Sequence, residues 1–511
     1  MSKFLKGILV LLTAGLVTRI LGFINRIAIA RFIGEEGVGL YMMAYPTFIL
    51  AVTLTQVGIP VAISKRVAEA IALNDHKKVK KILVLSLLIT LSMSIIFTPT
   101  LLLGAPFIAE IFFTDQRTMY PLIAIAPVIP VIAVSSVLRG YFQGKQNMKP
   151  AAISQVIEQS VRIGLIVVLT SIALPYGVEF SAAAVMVATI GGELISLIYL
   201  LTMFKLKKAF PFRKNFFKSL HNSRNEFRQI MNIALPTLGS RIIGSVSWFL
   251  EPIVVTQAMA LAGVATVTVT KLYGSLTGFA MPLLLLPSFI TIALSTALVP
   301  SISEALSLKN YAIVEKRLQQ SIKFCIVTGS GSVVVLYVLA DPLMQLLYNS
   351  TNGAIYLQLM APFFVFQYLQ APLQAALQAM DLARAAMINS LIGAVVKLAV
   401  IFILASQPEF GIIGVALGMI VGFLLVTMLN YATILKVIPL TFYATYYFKV
   451  LFITLLTGWL GHELYTFFMG SSTLLISTLL TIVIMIVLFV SLLLLLKIIS
   501  IQDIKRWRPQ N

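Results

Sequence analysis

Thr473–Lys497 reads TLLISTLLTIVIMIVLFVSLLLLLK, with 24 consecutive uncharged residues from Thr473 to Leu496. At 1.5 Å per residue an α-helix of that length covers about 36 Å, more than the ~30 Å hydrocarbon core of a bilayer. The run therefore reads as a membrane-spanning helix, and the rest of the chain resembles it. Of 511 residues, 59% are hydrophobic and 11% charged, where soluble domains carry roughly a quarter charged. Disorder is excluded on the same ground. A single cysteine, Cys325, excludes a disulfide scaffold. Only an all-α polytopic membrane protein suits this composition.

About fourteen stretches reach the ~20 apolar residues a span requires. They are Phe4–Ala30, Val38–Ile63, Ile82–Leu103, Met119–Leu138, Ala151–Leu174, Phe180–Phe204, Gln229–Leu261, Lys271–Val299, Leu318–Leu339, Ile355–Met380, Ala385–Ala405, Gly411–Ile434, Ala444–Phe468 and Thr473–Lys497. Lys3 and Lys6 ahead of Gly7–Val17 imitate a signal peptide, but no small-x-small cleavage site follows, so this segment reads as a retained first span.

The loops carry the net charge of +20. Alternate loops hold Lys65, Arg66 and Lys77–Lys81; Arg139, Lys145 and Lys149; the run Lys205–Arg228; Lys309, Lys316 and Arg317; Arg384; Lys436; and the tail residues Lys505, Arg506 and Arg508. The intervening loops hold Arg31 and Arg117 beside Glu35, Glu36, Asp115, Asp341, Glu409 and Glu463, with Gly34–Gly37 expected as a turn. The positive-inside rule then places both termini in the cytoplasm of a multi-pass protein of the cell membrane. The basic excess is accounted for by topology and anionic lipid headgroups, and no nucleic-acid partner is expected.

A weak repeat divides the chain. Thr18-Arg19-Ile20-Leu21-Gly22 is matched by Ser240-Arg241-Ile242-Ile243-Gly244, and Gln143–Arg162 by Gln378–Lys397. Both lags equal six spans, so the halves share one orientation. The expected domains are residues 1–204 (a six-helix lobe), 205–228 (a basic linker on the inner surface), 229–434 (a second six-helix lobe) and 435–511 (two further spans and a basic tail).

Ionisable side chains inside spans cost ~2.5–3.5 kcal/mol each at a helix centre, and therefore mark functional or mutually paired positions. Arg19, Arg26, Arg162, Arg241, Lys271 and Lys397 are candidates for an anion-binding cavity; Glu158, Glu193 and Glu251 are candidates for ion coupling. Bland alternatives stand beside them. Arg26 has the reach to snorkel outward with Arg31. Glu158 and Arg162, at i and i+4, are placed to neutralise one another. Lys271 equally suits the outer interface, Glu193 a packed polar position, and Glu251, before Pro252, a kinked but unbroken helix. Gly274, Gly278, Pro282 and Pro287 predict bending in the eighth span. His76, His221 and His462 form no ligand cluster, so no metal is expected, and no nucleotide or nucleophile motif implies a cofactor or an enzyme.

The two-lobe plan, the Thr18–Gly39 segment, Arg139–Met148, Ser240-Arg241 and Trp248–Val255 together resemble the polysaccharide-flippase branch of the multidrug/oligosaccharidyl-lipid/polysaccharide exporter superfamily. The resemblance covers nearly the full length. It implies a flippase that carries an undecaprenyl-diphosphate-linked sugar to the outer leaflet by alternating access, for spore-cortex peptidoglycan, with membrane lipids and peptidoglycan synthases as partners. The chain is also similar to MurJ-type lipid II flippases, with a departure. Their first helix tends to carry an Arg-Asp pair where this chain has Asn25-Arg26, and the stretch Pro46–Gly58 has no charge where they carry paired arginines. Only Arg19 carries over from that motif. Positive walls suit a diphosphate, and Arg fits its oxygens bidentately. A drug/cation antiporter of the same fold would call for acidic walls instead. A non-transporting sporulation scaffold would tolerate neutral residues at 19, 241 and 397.

Overall fold

The structure is a computed structural model that describes residues 3–207, 223–441, 443–470 and 472–498. Among these, helices account for nearly every residue and no strand occurs. That outcome follows from a bilayer, where each backbone polar group must be satisfied within its own segment. The linker 205–228 falls largely, and the basic tail wholly, outside the described residues.

The chain folds as two compact units, Met1–Gly274 and Ser275–Asn511. The first contains α1 (Lys3–Gln56), α2 (Ile59–Ala72), α3 (His76–Phe107), α4 (Met119–Ile125), α5 (Val128–Gly144), α6 (Lys149–Ala173), α7 (Val178–Lys207), α8 (Arg224–Leu261) and α9 (Thr266–Gly274). The second contains α10 (Met281–Leu285), α11 (Ser288–Ser307), α12 (Tyr311–Val338), α13 (Ala340–Tyr348), α14 (Ala354–Met360), α15 (Phe364–Ala379), α16 (Ala383–Ala405), α17 (Gly411–Leu435), α18 (Ala444–Met469) and α19 (Leu474–Leu495).

Ten described helices are long and apolar enough to cross a membrane, or eleven if the bent pair Gln116–Ile125 and Val128–Gly144 forms one span. The expected fourteen differs from ten at four places. Spans one and two lie in one segment, Gly15–Ala72; span four is the bent pair; and the helices of spans ten and thirteen, α15 and α18, are not among the ten. Within α1 the backbone breaks at Gly34, with φ 65° and ψ −175°, a region open essentially only to glycine. The expected turn thus shrinks to one residue, because Glu35 onward is already helical.

The second span corrects the expectation of a continuous helix over Val38–Ile63. Val57 (φ 46°) and Gly58 (φ 70°) are both left-handed, and they separate α1 from α2. Pro60 lies in the first turn of α2, where its missing N–H costs nothing. Arg139 is likewise not a loop residue; it lies inside α5, half-buried. The eighth span is interrupted as Gly274, Pro282 and Pro287 suggest, passing through a π-helical stretch, Ser275–Ala280, before α10 and α11. α8 runs unbroken through Pro252 with Glu251 buried, which is the kinked-helix alternative.

Each unit has its own core. In the first, Ile59, Ile63, Val67, Leu83, Val137, Phe142, Leu200 and Ile230 join α2, α3, α5, α7 and α8. In the second, Leu298, Ile302, Leu318, Leu373, Leu377 and Ile434 join α11, α12, α15 and α17. α18 and α19 rest on α12 through Val327, Val450, Ile453, Phe489 and Leu493.

Candidate functional site

Helices α5, α6 and α7 bring four charges together. Arg139 Nη2 donates to Glu158 Oε2 at 2.9 Å, to Glu193 Oε1 at 3.1 Å and to Ser196 Oγ at 3.0 Å. Arg162 Nη2 donates to Glu158 Oε1 at 2.5 Å, one helical turn away. Both carboxylates are buried. The approach rests on Gly192: a Cβ there would stand 2.8 Å from the Glu158 carbonyl and 3.2 Å from Arg162 Cβ. A side chain at 192 would therefore hold α7 away from α6, and Glu193 would fall short of Arg139. Two acids and two bases sum to zero, the arrangement a low-dielectric site requires. Arg139 Nε and Arg162 Nε are buried donors with no partner among the described residues, so the cluster has unused hydrogen-bonding capacity.

The second unit repeats this geometry with different chemistry. Gly422 on α17 meets Lys397 Cβ on α16, as Gly192 on α7 meets Arg162 Cβ on α6. Counting from these pairs, Gly393 stands where the first unit has Glu158, and Phe423 where it has Glu193. Lys397, half-buried, thus occupies the place of Arg162 without the two acids.

Span two lies between polar contacts at both its ends. At its break, Arg241 Nη1 donates to Gln56 Oε1 at 3.3 Å, and Thr53 Oγ1 lies 3.0 Å from Ser245 Oγ. Arg241 is exposed, as is Arg19; Arg26 is half-buried. The left-handed pair at Val57–Gly58 beside Arg241 is non-helical backbone within a span, tolerated only against protein or in a water-filled cavity. At the opposite end Arg117 forms a fork on Asp115, Nε to Oδ1 at 3.0 Å and Nη2 to Oδ2 at 2.8 Å. Its Nη1 reaches Glu36 Oε1 at 2.6 Å. Thr270 Oγ1 donates to Asp115 Oδ2 at 2.8 Å, and Lys271 Nζ lies 3.4 Å from Glu36 Oε2. Burial alone would push the Asp115 carboxyl up; hydrogen bonds from Arg117 and Thr270, with the Arg117 charge, outweigh it and hold Asp115 below its ordinary value.

Sequence reading brought Glu158, Arg162 and Glu193 forward and missed their hub, Arg139, and the Asp115–Arg117–Glu36 set. Arg139 looked like one more cytoplasmic charge. The signal was present in Arg139-Gly140-x-x-x-Gly144, since small residues spaced by four mark a close helix contact. The arrangement holds paired charges and hydrogen-bonding groups, and no group of three metal-ligating side chains occurs among the described residues.

Known proteins share this plan. The family described as "Polysaccharide biosynthesis protein" matches residues 4–306, and the MatE family matches residues 252–403. "Stage V sporulation protein B" of Bacillus subtilis (strain 168) is 60% identical over 86% of this chain and 85% of its own length. "Lipid II flippase MurJ" of the same organism is 26% identical over 83% of this chain and 81% of its own. A solved structure of lipid II flippase MurJ in an inward closed conformation superposes with a TM-score of 0.68 at 16% identity, covering 93% of this chain and 97% of that one. With a family match over more than half its length and a relative 60% identical across most of it, the chain belongs to the polysaccharide biosynthesis protein family of helical membrane proteins.

Proposed function

We propose that the chain is a lipid-linked flippase, a transporter without enzymatic activity, that moves an undecaprenyl-diphosphate-linked sugar to the outer leaflet for spore-cortex peptidoglycan. The observation that carries this reading is its relation both to stage V sporulation protein B and to a lipid II flippase, on a chain with exposed arginines at 19 and 241 within its spans. In the proposed mechanism Arg19, Arg26 and Arg241 are the first unit's contacts for the anionic headgroup, and Lys397 is the second unit's. Arg162 and Lys271, engaged with Glu158 and Glu36, hold structure around it. Guanidinium forks match diphosphate oxygens, while the polyprenyl tail stays in the bilayer. The inside-negative potential supplies up to ~2.3 kcal/mol per charge per 100 mV for outward movement of the anion. Peptidoglycan synthases are the proposed recipients. The neutral sum of Arg139, Arg162, Glu158 and Glu193 speaks against a cation antiporter, which needs uncompensated acid.

The test is headgroup accessibility of a labelled undecaprenyl-diphosphate-linked precursor in proteoliposomes. Arg19→Ala and Arg241→Ala each remove a charge-assisted contact worth ~1.5–3 kcal/mol, so transport should fall roughly ten- to a hundredfold in apparent affinity. Arg19→Lys should recover part of it. Wild-type flipping by both alanine variants at matched insertion would refute the reading.

A further inference from the structure

Between α11 and α12 lies a cavity of about 180 Å³, lined by Leu294, Ala297, Leu298 and Ser301 of α11 and by Arg317, Gln320, Ser321 and Phe324 of α12. At ~30 Å³ per water it holds roughly six waters' volume, ample for a phosphate group. Its lining is graded. α11 and α12 are joined at Leu308–Asn310, so distance along either helix from that junction measures depth. Ser301 and Arg317 lie nearest the junction; Leu294 and Phe324 lie about two turns deeper. The lining thus runs from a mouth at Ser301 and Arg317 nearest the junction, through a mixed turn of Ala297, Leu298, Gln320 and Ser321, to an apolar end at Leu294 and Phe324. The junction end also carries Lys309 and Lys316, both exposed.

Arg317 is only partly engaged. Its Nη1 donates to the Ser301 carbonyl and lies 3.6 Å from Glu304 Oε2. Nε and Nη2 make no bond among the described residues. Glu304 is 70% exposed on its side chain, and such a surface pair contributes little. An anion at the mouth would meet the N–H groups of two spare nitrogens, Nε and Nη2, on a guanidinium already aimed by its bond to Ser301.

We propose that this cavity binds an anionic phospholipid of the adjacent leaflet, its phosphate on Arg317 and one acyl chain in the trough formed by Leu294, Ala297, Leu298 and Phe324. A free phosphate would use the mouth but not the trough. The apolar far end at Leu294 and Phe324 favours the lipid, because a soluble anion gains nothing from apolar walls. The bound lipid would tie α11 to α12 at the interface, independently of the substrate carried.

Native mass spectrometry of the full chain, released from micelles after incubation with dioleoylphosphatidylglycerol or dioleoylphosphatidylcholine, tests this. The wild type should retain phosphatidylglycerol over phosphatidylcholine. Arg317→Ala should weaken retention about tenfold, as loss of one charge-assisted contact implies, and Arg317→Lys should restore part of it. Lys316→Ala, on the same helix outside the cavity, should behave as wild type. Ala297→Phe, which fills the trough and spares Arg317, should also expel the lipid; it serves if Arg317→Ala fails to fold. Undiminished phosphatidylglycerol retention by both Arg317→Ala and Ala297→Phe overturns the proposal. So does competition by glycerol phosphate alone with Ala297→Phe unaffected, which would make the site one for a soluble phosphate.

Discussion

Arg139 Nη2 serves three acceptors on two other helices, so its loss would leave two buried carboxylates facing Arg162 alone. Removing one partner of a buried pair costs about 3–5 kcal/mol. Arg139→Gln should therefore lower thermal stability in detergent sharply, and adding Glu193→Gln should restore part of it by removing the stranded charge. Asp115 gives a prediction in pH. A carboxyl held below its ordinary value contributes stability that is fully present above the unfolded pKa of ~3.9. That contribution is lost as pH falls through the lower folded value. Wild type should then be more stable than Asp115→Asn at neutral pH, with the advantage beginning to shrink near the unfolded pKa of ~3.9 and the melting curves converging only below it. At this scale the sequence was half legible. An acid and a base at i and i+4 declare each other, whereas Arg139 meets Glu158 and Glu193 across 19 and 54 residues of chain, a distance no local pattern reports.

Span two illustrates what an element gains from lacking side chains. Gly39 faces the Thr270 carbonyl, Gly274 the Glu35 carbonyl and Gly58 the Ala234 carbonyl, each too close for a Cβ. On the other side, Cβ atoms at Gly140 and Gly144 would stand 2.8 Å from the Pro60 carbonyl and 2.5 Å from the Ser64 carbonyl. Small residues let helix backbones meet in a bilayer, where packing rather than water exclusion drives association. Gly58→Ala should be worse than a helix-interior change, because it adds a clash to a positive φ; more than about 1 kcal/mol is expected. Gly140→Leu should cost about 1–3 kcal/mol by overpacking, read as reduced yield of folded protein. The breaks themselves were partly legible: Gly274, Pro282 and Pro287 announced those of span eight. The break at Val57–Gly58 was legible but passed over: Gly58, followed by Pro60 in the first turn of α2, is a helix-start signal, while the β-branched Val57 gives no warning of its left-handed backbone.

Across the whole molecule, the alternation of basic and acidic loops gives a topology prediction: positions 175, 340 and 470 outward and both termini inward. Reporter fusions after Pro175, Ala340 and Gly470, the residue that closes α18 (Gly461, inside that helix, is buried), should all read external; an internal signal at any of them would break the fourteen-span plan. Apolar length exposes the helical class to a reader of the sequence, because it is set by the bilayer rather than by a partner helix. The first unit's ion cluster and the second unit's plain Lys397 were not legible that way. Both halves show the same close approach at Gly192 and Gly422, but the acids occur in one only.

The glycine contacts along span two also bear on inheritance. Every glycine codon is GGN, and any single-base missense change at its first or second position encodes a residue with a Cβ. At Gly39 and Gly274 the nearest atom is a main-chain oxygen of a neighbouring helix, which cannot swing aside as a side chain can. No one-step missense allele at either position escapes the collision, so a saturating screen for variants that insert and fold should return these codons altered only at the silent third base.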